Sequence, residues 1–304
     1  MGIKDLGLRI VGLIPVALLG TALLLPGCVF RRTAIPQNQR LLPVQSRTFK
    51  DLLQDLEARS RAIQTVKAAR VLFQPSAGAR TKGVLTETRV PVAGFIVVNR
   101  PHDIRIRLNV PLLGTTGADL VSDGQSFKVW VPLTNKLYDG KANESIRIGS
   151  AELLLPPPAD ISNAMFVDVA QYLNNANYKF FPREMTVGTH SYYVIGIVNV
   201  QATSSEAQMI QEIWVDRTNM EITQQVMYGE GGKIMTETEF SGYRVGDPLS
   251  FPHDVTIRRP EEDVNLKITF QTLPEVNSPL TPDAFQLETA GAEIVHLSGD
   301  HSKP

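Results

Sequence analysis

The sequence predicts an α+β fold that is mainly antiparallel β, with a curved sheet and a few helices covering its apolar face. Three observations support this prediction. Short segments alternate apolar and polar residues, turn signals separate several of them, and a helical period occurs in only two places. Such alternation is typical of antiparallel strands that have one dry face and one solvated face.

The clearest alternation occurs in residues 104–110, 126–131 and 265–270. In the first of these, IRIRLNV, every second residue is aliphatic, and the residues between them are arginine or asparagine. Less regular strands are expected in residues 189–200 and 209–216, and turns at 123–124, 139–140 and 229–232. We expect one sheet of about ten strands.

Two segments have the period of a helix. The first begins at Thr48, which forms a weak capping box with Asp51, and its apolar residues share one face: Leu52, Leu53, Leu56, Ile63 and Val66. The second follows the three prolines at 156–158 and has apolar residues at spacings of three and four: Ile161, Met165, Val169 and Tyr172. Both helices are expected to pack on the sheet in one domain over residues 48–290, followed by a tail at 291–304.

Cys28 is the only cysteine, and it follows an uncharged run of 16 residues, 10–25, that is preceded by Lys4 and Arg9. Such a run is short of the roughly 20 apolar residues that span a bilayer. A basic head before a short apolar run is typical of an export signal. One alternative is an inert cysteine in an anchor helix.

The four residues LPGC, at 25–28, resemble the lipobox of bacterial lipoprotein signals, although Pro26 departs from the small or β-branched residue usual there. This resemblance implies removal of residues 1–27 and lipidation of Cys28. Two or more acyl chains hold a protein stably on a membrane. Residues 28–47, polar and with two prolines, are expected to form a lipidated, flexible tether.

The composition excludes several classes of function. With 30 basic and 31 acidic side chains, the chain has no electrostatic reason to bind nucleic acid. It contains no GxSxG or GxxxxGK[ST] motif. No two of the five histidines have a metal-ligand spacing: His102, His190, His253, His296 and His301. We therefore expect no catalytic residues, no metal and no cofactor.

Several segments in order resemble the LolA/LolB/LppX superfamily of periplasmic lipoprotein carriers and lipid-binding lipoproteins. They are AIQTVKA, NRPHDIRIRL, PLLGTTGADLVSDGQSFKVWVP, EIWVDRTNMEITQQV and FPHDVTI followed by NLKITF. The likeness covers residues 49–287 and implies a half-barrel closed by helices around an apolar cavity for acyl chains. The expected lining residues are Ile106, Leu108, Val129 and Ile268. The apolar pattern alone fits an ordinary core equally well.

Within the superfamily, the lipobox makes the chain most similar to LolB, because LolB is itself a lipoprotein. The segment NVPLLGT, residues 109–115, is similar to the loop from which a leucine of LolB protrudes, with one residue added. The resemblance therefore implies a membrane-insertion loop with Leu113 as the preferred tip and Leu112 as the other candidate. The alternative is that both leucines tuck under the sheet.

The leading hypothesis is a non-enzymatic lipoprotein that binds acyl chains of lipids or lipoproteins and helps to transfer them to the outer membrane. Val29, where an aspartate would retain enteric lipoproteins in the inner membrane, favours an outer-membrane location facing the periplasm. A soluble LolA-like carrier is a candidate partner. A second hypothesis is a tethered structural or sensor protein of the envelope with a filled core. A hydrolase is disfavoured because no catalytic constellation is present.

Overall fold

A computed structural model describes residues 42–77, 87–88, 90–149, 153–200, 207–289 and 291–297. The expected signal peptide and Cys28 lie outside these residues. The described ranges contain three α-helices, α1 (Phe49–Ala62), α2 (Pro158–Phe166) and α3 (Ala170–Leu173). None of these helices is long and apolar enough to cross a membrane.

The strands of the described ranges are β1 (Thr65–Ala77), β2 (Glu87–Thr88), β3 (Val92–Asn99), β4 (Asp103–Asn109), β5 (Thr116–Ser122), β6 (Ser126–Val131), β7 (Lys136–Lys141), β8 (Ile146–Ile148), β9 (Leu153–Leu155), β10 (Tyr178–Val187), β11 (His190–Val200), β12 (Ala207–Asp216), β13 (Ile222–Tyr228), β14 (Ile234–Ser241), β15 (Asp254–Arg259), β16 (Val264–Phe270), β17 (Glu275–Val276) and β18 (Glu293–His296). Sixteen of them form one sheet, and β8 and β9 form a separate pair.

The large sheet is open and follows the order β10-β11-β12-β13-β14-β15-β16-β1-β3-β4-β5-β6-β7-β18. The short strands β2 and β17 also pair with β1. Neighbouring strands are antiparallel except for β7 and β18, which are parallel. The curled, mainly antiparallel sheet with its few helices confirms the predicted fold class.

The concave face of the sheet carries the core. Along β4 the residues alternate, so that Ile104, Ile106 and Leu108 are buried and the arginines between them point outward. The buried residues form one cluster with Leu52 of α1 and Ile161 of α2. Full burial of each such side chain contributes about 1.5–3 kcal/mol, so this face provides much of the driving force for folding.

The convex face of β4 is fixed by a buried carboxylate. The Asp119 side chain on β5 is 3% exposed and lies between Arg105 at 2.9 Å and Arg107 at 2.7 Å. The hydrogen bond from Arg105 to Asp119 raises the pKa of the guanidinium, although burial opposes this. The paired arginines of the RIR segment therefore neutralise one acidic group on the neighbouring strand.

The first helix is shorter than its sequence pattern indicated. Thr48 is its N-cap, and the hydroxyl oxygen accepts a hydrogen bond from the Asp51 amide, as the capping box predicted. The helix ends at Ala62, and Val66 is fully buried in β1. An apolar residue at position 66 fits the helical pattern and the strand pattern equally well, so periodicity did not show where the helix ends.

The second helical segment is broken in two. Val167 has φ +39°, and its amide bonds to the Asn163 carbonyl, which ends α2. Asp168 then turns the chain by accepting the Ala170 amide at 2.8 Å. The apolar spacing of 161, 165, 169 and 172 continues through this break, because all four residues face the same core.

The turn expected at 139–140 is wrong, since both residues lie inside β7. A Cβ on Gly140 would lie 2.7 Å from the Phe127 ring, which packs against the glycine from the neighbouring strand. The glycine therefore provides space for an aromatic ring and does not mark a turn. The turns at 123–124 and 229–232 are found between strands.

Both predicted ends of the domain differ from the structure. Residues 42–47, assigned to the tether, are hydrogen-bonded to the domain: the Gln45 amide donates to Arg217 O at 2.7 Å, and the Arg47 amide donates to the Tyr193 hydroxyl at 2.8 Å. In the expected tail, residues 293–296 form β18 beside β7. Polar contacts account for much of the attachment at both ends, including Gln45 to Thr218 O and the pair of His296 with Asp139.

Candidate functional site

The four residues expected to line a cavity all face the concave side. Ile106 of β4 pairs with Leu120 of β5, which pairs with Val129 of β6. Leu108 lies two residues further along β4, so these three expected residues lie together. Ile268 lies on β16, opposite Phe73 of β1. All four are buried in the core cluster together with residues of the helices. Their role in binding acyl chains stays a prediction.

Helix α2 lies over this concave face and is attached at its start by polar contacts. Asp160 accepts hydrogen bonds from the Thr236 hydroxyl and from Arg259, each at 2.7 Å. Between the two ends, Ile161 and Met165 of α2 are buried in the core cluster. The helix is thus held by an ion pair at one end and by apolar contacts along its length.

The other end of α2 meets α1 through an Arg100 network, formed by Arg100, Asp168 and Ser60. Arg100 Nη1 donates to Asp168 Oδ2 at 2.6 Å, and its Nη2 donates to the Ser60 carbonyl at 2.9 Å. The Ser60 hydroxyl donates to Asp168 Oδ1 at 2.6 Å. The guanidinium also lies 4.5 Å from the centre of the Phe166 ring. The network therefore joins both helices to the β3–β4 turn.

The electrostatics of Asp168 favour its charged form. Burial alone would raise its pKa, but hydrogen bonds from Ser60, the Ala170 amide and Arg100 outweigh burial and lower the pKa. The carboxylate is therefore ionised at neutral pH and accepts hydrogen bonds from Ser60, Arg100 and the Ala170 amide. Sequence analysis missed this network because its members are separated by 40 to 108 residues.

A groove runs between α1 and the sheet. One part has a volume of ≈ 390 Å³ and is lined by Leu52, Leu56, Arg59, Val215, Met220, Leu249 and their neighbours. A smaller part of ≈ 50 Å³ reaches α2 and is lined by residues that include Ile63, Met165, Phe166, Phe240, Tyr243 and Phe251. The two parts share Arg59 and Leu249. The larger volume is within the range of small-molecule sites, about 300–1,000 Å³.

The groove lining is mainly apolar, with a few polar groups at its wall. Arg59 donates to the Met220 carbonyl at 3.3 Å, and the Tyr243 hydroxyl donates to the Ile222 carbonyl at 2.8 Å. Burial raises the pKa of Tyr243, so its hydroxyl remains a neutral donor. This combination of apolar side chains and few fixed polar groups suits a ligand with a hydrocarbon part.

The β4–β5 loop projects both of its leucines into solvent. Leu112 is 106% exposed and Leu113 is 73% exposed. The loop is closed by the Val110 amide, which donates to Thr115 O at 2.7 Å, and Gly114 adopts φ +68°. The alternative that the leucines tuck under the sheet is therefore wrong. Leu112, the second candidate, is more exposed than the preferred Leu113.

The described residues show no cluster of three or more His, Cys, Asp or Glu side chains that could ligate a metal ion. His190 and His296 each pair with a single aspartate, Asp216 at 3.1 Å and Asp139 at 2.7 Å. His190 begins β11 and contacts the buried Asp216 at the end of β12, and His296 and Asp139 face each other across β18 and β7.

No protein-family model matches the chain, and no curated protein has a similar sequence. Among solved structures, the chain is similar to a DUF1329 family protein from Desulfovibrio piger, with 14% identity and a TM-score of 0.52 over 78% of this chain and 95% of that chain. It is also similar to a LolA superfamily protein from Nitrosomonas europaea, with 9% identity and a TM-score of 0.49 over 80% and 99%. The likeness to the DUF1329 family protein shows a shared fold.

Proposed function

We propose that this protein is a membrane-anchored lipoprotein that binds the acyl chains of lipids or lipoproteins on the concave face of its sheet. The observation that carries the proposal is the mainly apolar groove beside α1, which shares Leu52, Leu56 and Val215 with the apolar core cluster. The Cys28 lipobox supports attachment to a membrane, and Val29 supports the periplasmic face of the outer membrane. No catalytic step is part of this function.

Acyl chains reach the concave face through the groove, and α1 and α2 move away from the sheet to admit them. Each buried methylene contributes about 0.8 kcal/mol, so a few methylenes offset the loss of the polar contacts that hold the helices. Arg100 and Asp160 define the two places where those contacts must break or stretch. The exposed Leu112 and Leu113 enter the acyl boundary of the target membrane during delivery.

The test is native mass spectrometry of the purified protein, with and without added phospholipid. We expect bound lipid in the wild type and reduced lipid in Leu108→Trp, whose larger side chain occupies the concave face. If the face opens for ligands, the change lowers stability little, whereas overpacking a solid core costs about 1–3 kcal/mol. Strong destabilisation together with no bound lipid in either protein would contradict the proposal.

A second function is favoured by one observation, the burial of the concave face in a continuous core cluster. A filled core suits a tethered structural or sensor protein of the envelope, which uses its outer surface to bind another protein. The same experiment separates the two functions, because this one requires a lipid-free protein that Leu108→Trp destabilises.

A further inference from the structure

A second loop exposes a leucine, Leu133, at the same end of the sheet as Leu112 and Leu113. It is 92% exposed, in the 3-10 turn Pro132–Thr134 that joins β6 to β7. Strands β4 to β7 are consecutive and antiparallel, so the β4–β5 and β6–β7 loops lie at one end and the β5–β6 turn at the other. With strands about 4.8 Å apart, the two loops are about 10 Å from each other.

The two loops also have a common sequence. Residues 110–112 and 131–133 both read Val-Pro-Leu. The first loop turns back through two residues with positive φ, Leu112 and Gly114, and the second through Asn135. No charged residue occurs from 108 to 118 or from 129 to 135. Small, hydroxyl and amide residues surround the exposed leucines. Each loop therefore presents a leucine on a polar but uncharged base.

We propose that Leu133 is a second membrane-insertion point, and that the β4–β5 and β6–β7 loops together form a two-pronged edge that docks on a lipid bilayer. This inference rests on the proposed function and adds the second prong and the orientation of the domain. A bilayer fits because the leucines stand on separate loop tips without a shared pocket or flat patch. A fluid apolar layer can surround each tip, while the threonine and asparagine side chains remain among the headgroups.

The surrounding charges agree with this occupant. Asp119, the first acidic residue after the β4–β5 loop, is neutralised by Arg105 and Arg107. Lys136, which follows the β6–β7 turn, lies 3.8 Å from Glu293. Asp119 and Glu293, the acidic residues that follow or face these loops, thus each have a basic partner.

Trp130 reports on this edge, because it lies three residues before Leu133, and the chain has only two tryptophans. The experiment uses the full lipidated chain in vesicles of phosphatidylcholine with brominated acyl chains, which quench nearby tryptophans. A Trp214→Phe background isolates Trp130, and a Trp130→Phe background isolates Trp214 on β12. We expect quenching of Trp130 and little quenching of Trp214.

Leu133→Glu should reduce quenching of Trp130 to the level shown by Trp214. The matched control is Val245→Glu, whose side chain is 89% exposed in the loop between β14 and β15 at the opposite end of the sheet, and it should change nothing. Circular dichroism checks that each variant folds. Absence of Trp130 quenching in the parent protein, or full quenching in Leu133→Glu, would overturn the second prong.

Lipid transfer is measured separately. If Leu112→Glu/Leu113→Glu abolishes transfer while Leu133→Glu leaves quenching of Trp130 intact, the proposed function stands and the two-pronged edge fails. If transfer is normal in all variants although Trp130 is quenched in the parent, the two-pronged edge is supported, and its role in lipid delivery is contradicted. Loss of transfer in Leu133→Glu without any quenching in the parent would indicate a protein surface as the occupant, which overturns the bilayer proposal.

Discussion

The two ends of the sheet differ in how they treat apolar and charged side chains. At the helix end, formed by α1, residues 42–47 and the Arg100 network, Arg100 is paired with Asp168, and Leu52 and Leu56 of α1 are buried. At the leucine end, formed by the β4–β5 and β6–β7 loops, large apolar side chains are exposed and the loops carry no charge. In the proposed function, the helix end controls access to the interior and the leucine end contacts the membrane.

The largest effect on stability is expected from Asp119→Ala, which removes the carboxylate that Arg105 and Arg107 share near the leucine end. The change leaves Arg105 and Arg107 without their carboxylate on a largely buried site, and loss of one partner of a buried ion pair destabilises by about 3–5 kcal/mol. Urea unfolding measures the free energy. Glu275→Ala, which removes the exposed pair with Lys67, is the matched control and should change it by less than about 1 kcal/mol.

A smaller effect is expected at the helix end from Asp168→Asn. The amide keeps the size of the side chain but weakens its hydrogen bonds with Ser60 and Arg100, which costs about 1–3 kcal/mol. Hydrogen exchange of the α1 and α2 amides should rise while that of β4–β6 stays constant. Equal exchange in all elements would show that the network does not hold the helices specifically.

The same carboxylate gives the helix end a pH dependence. Since folding lowers the pKa of Asp168, its contribution to stability is fully present above the unfolded pKa and is lost as the pH falls through the folded pKa. Other aspartates, among them Asp216 and Asp254, behave in the same way. The difference in unfolding free energy between wild type and Asp168→Asn should therefore shrink below about pH 4. A difference that is constant with pH would exclude this role of the charge.

The smallest effect on stability is expected from Leu113→Glu. An exposed loop substitution typically changes stability by less than about 0.5 kcal/mol, so the circular dichroism spectrum and melting temperature should be preserved. Transfer of bound lipid to liposomes should fall, because a charged side chain does not enter the acyl boundary. Val245→Glu serves again as the control, and an unchanged transfer rate would separate the exposed loop from delivery.

Strands with a clear local alternation were predicted well from the sequence. Strand β6 has the predicted bounds 126–131, and β4 and β16 differ from their predictions by one residue. The end of α2 at Val167 and the use of Gly140 inside a strand depend on packing partners that periodicity does not contain. The parallel pairing of β18 with β7 joins segments far apart in the chain.

The candidate site was predictable in part for the same reason. The burial of the apolar residues of β4, β6 and β16 follows from local alternation, whereas the leucine loop and the cavity were expected from the family resemblance. The groove forms where α1, the turn after β12 and the segment before β15 meet. No short pattern marks such a meeting of three distant segments, and the Arg100 network also joins residues from three elements.

Residues 42–47 are hydrogen-bonded to the helix end, so in the proposed lipoprotein only the residues before Leu42 form the tether between Cys28 and the domain. Thirteen residues separate Cys28 from Leu42, and the fourteen steps between the two Cα atoms, at about 3.3–3.6 Å each, reach at most about 50 Å. A strand of seven residues, such as β4, covers only about 23 Å. If Cys28 is lipidated as proposed, this maximum is roughly twice the length of β4, so the leucine end is within reach of the membrane that holds the anchor.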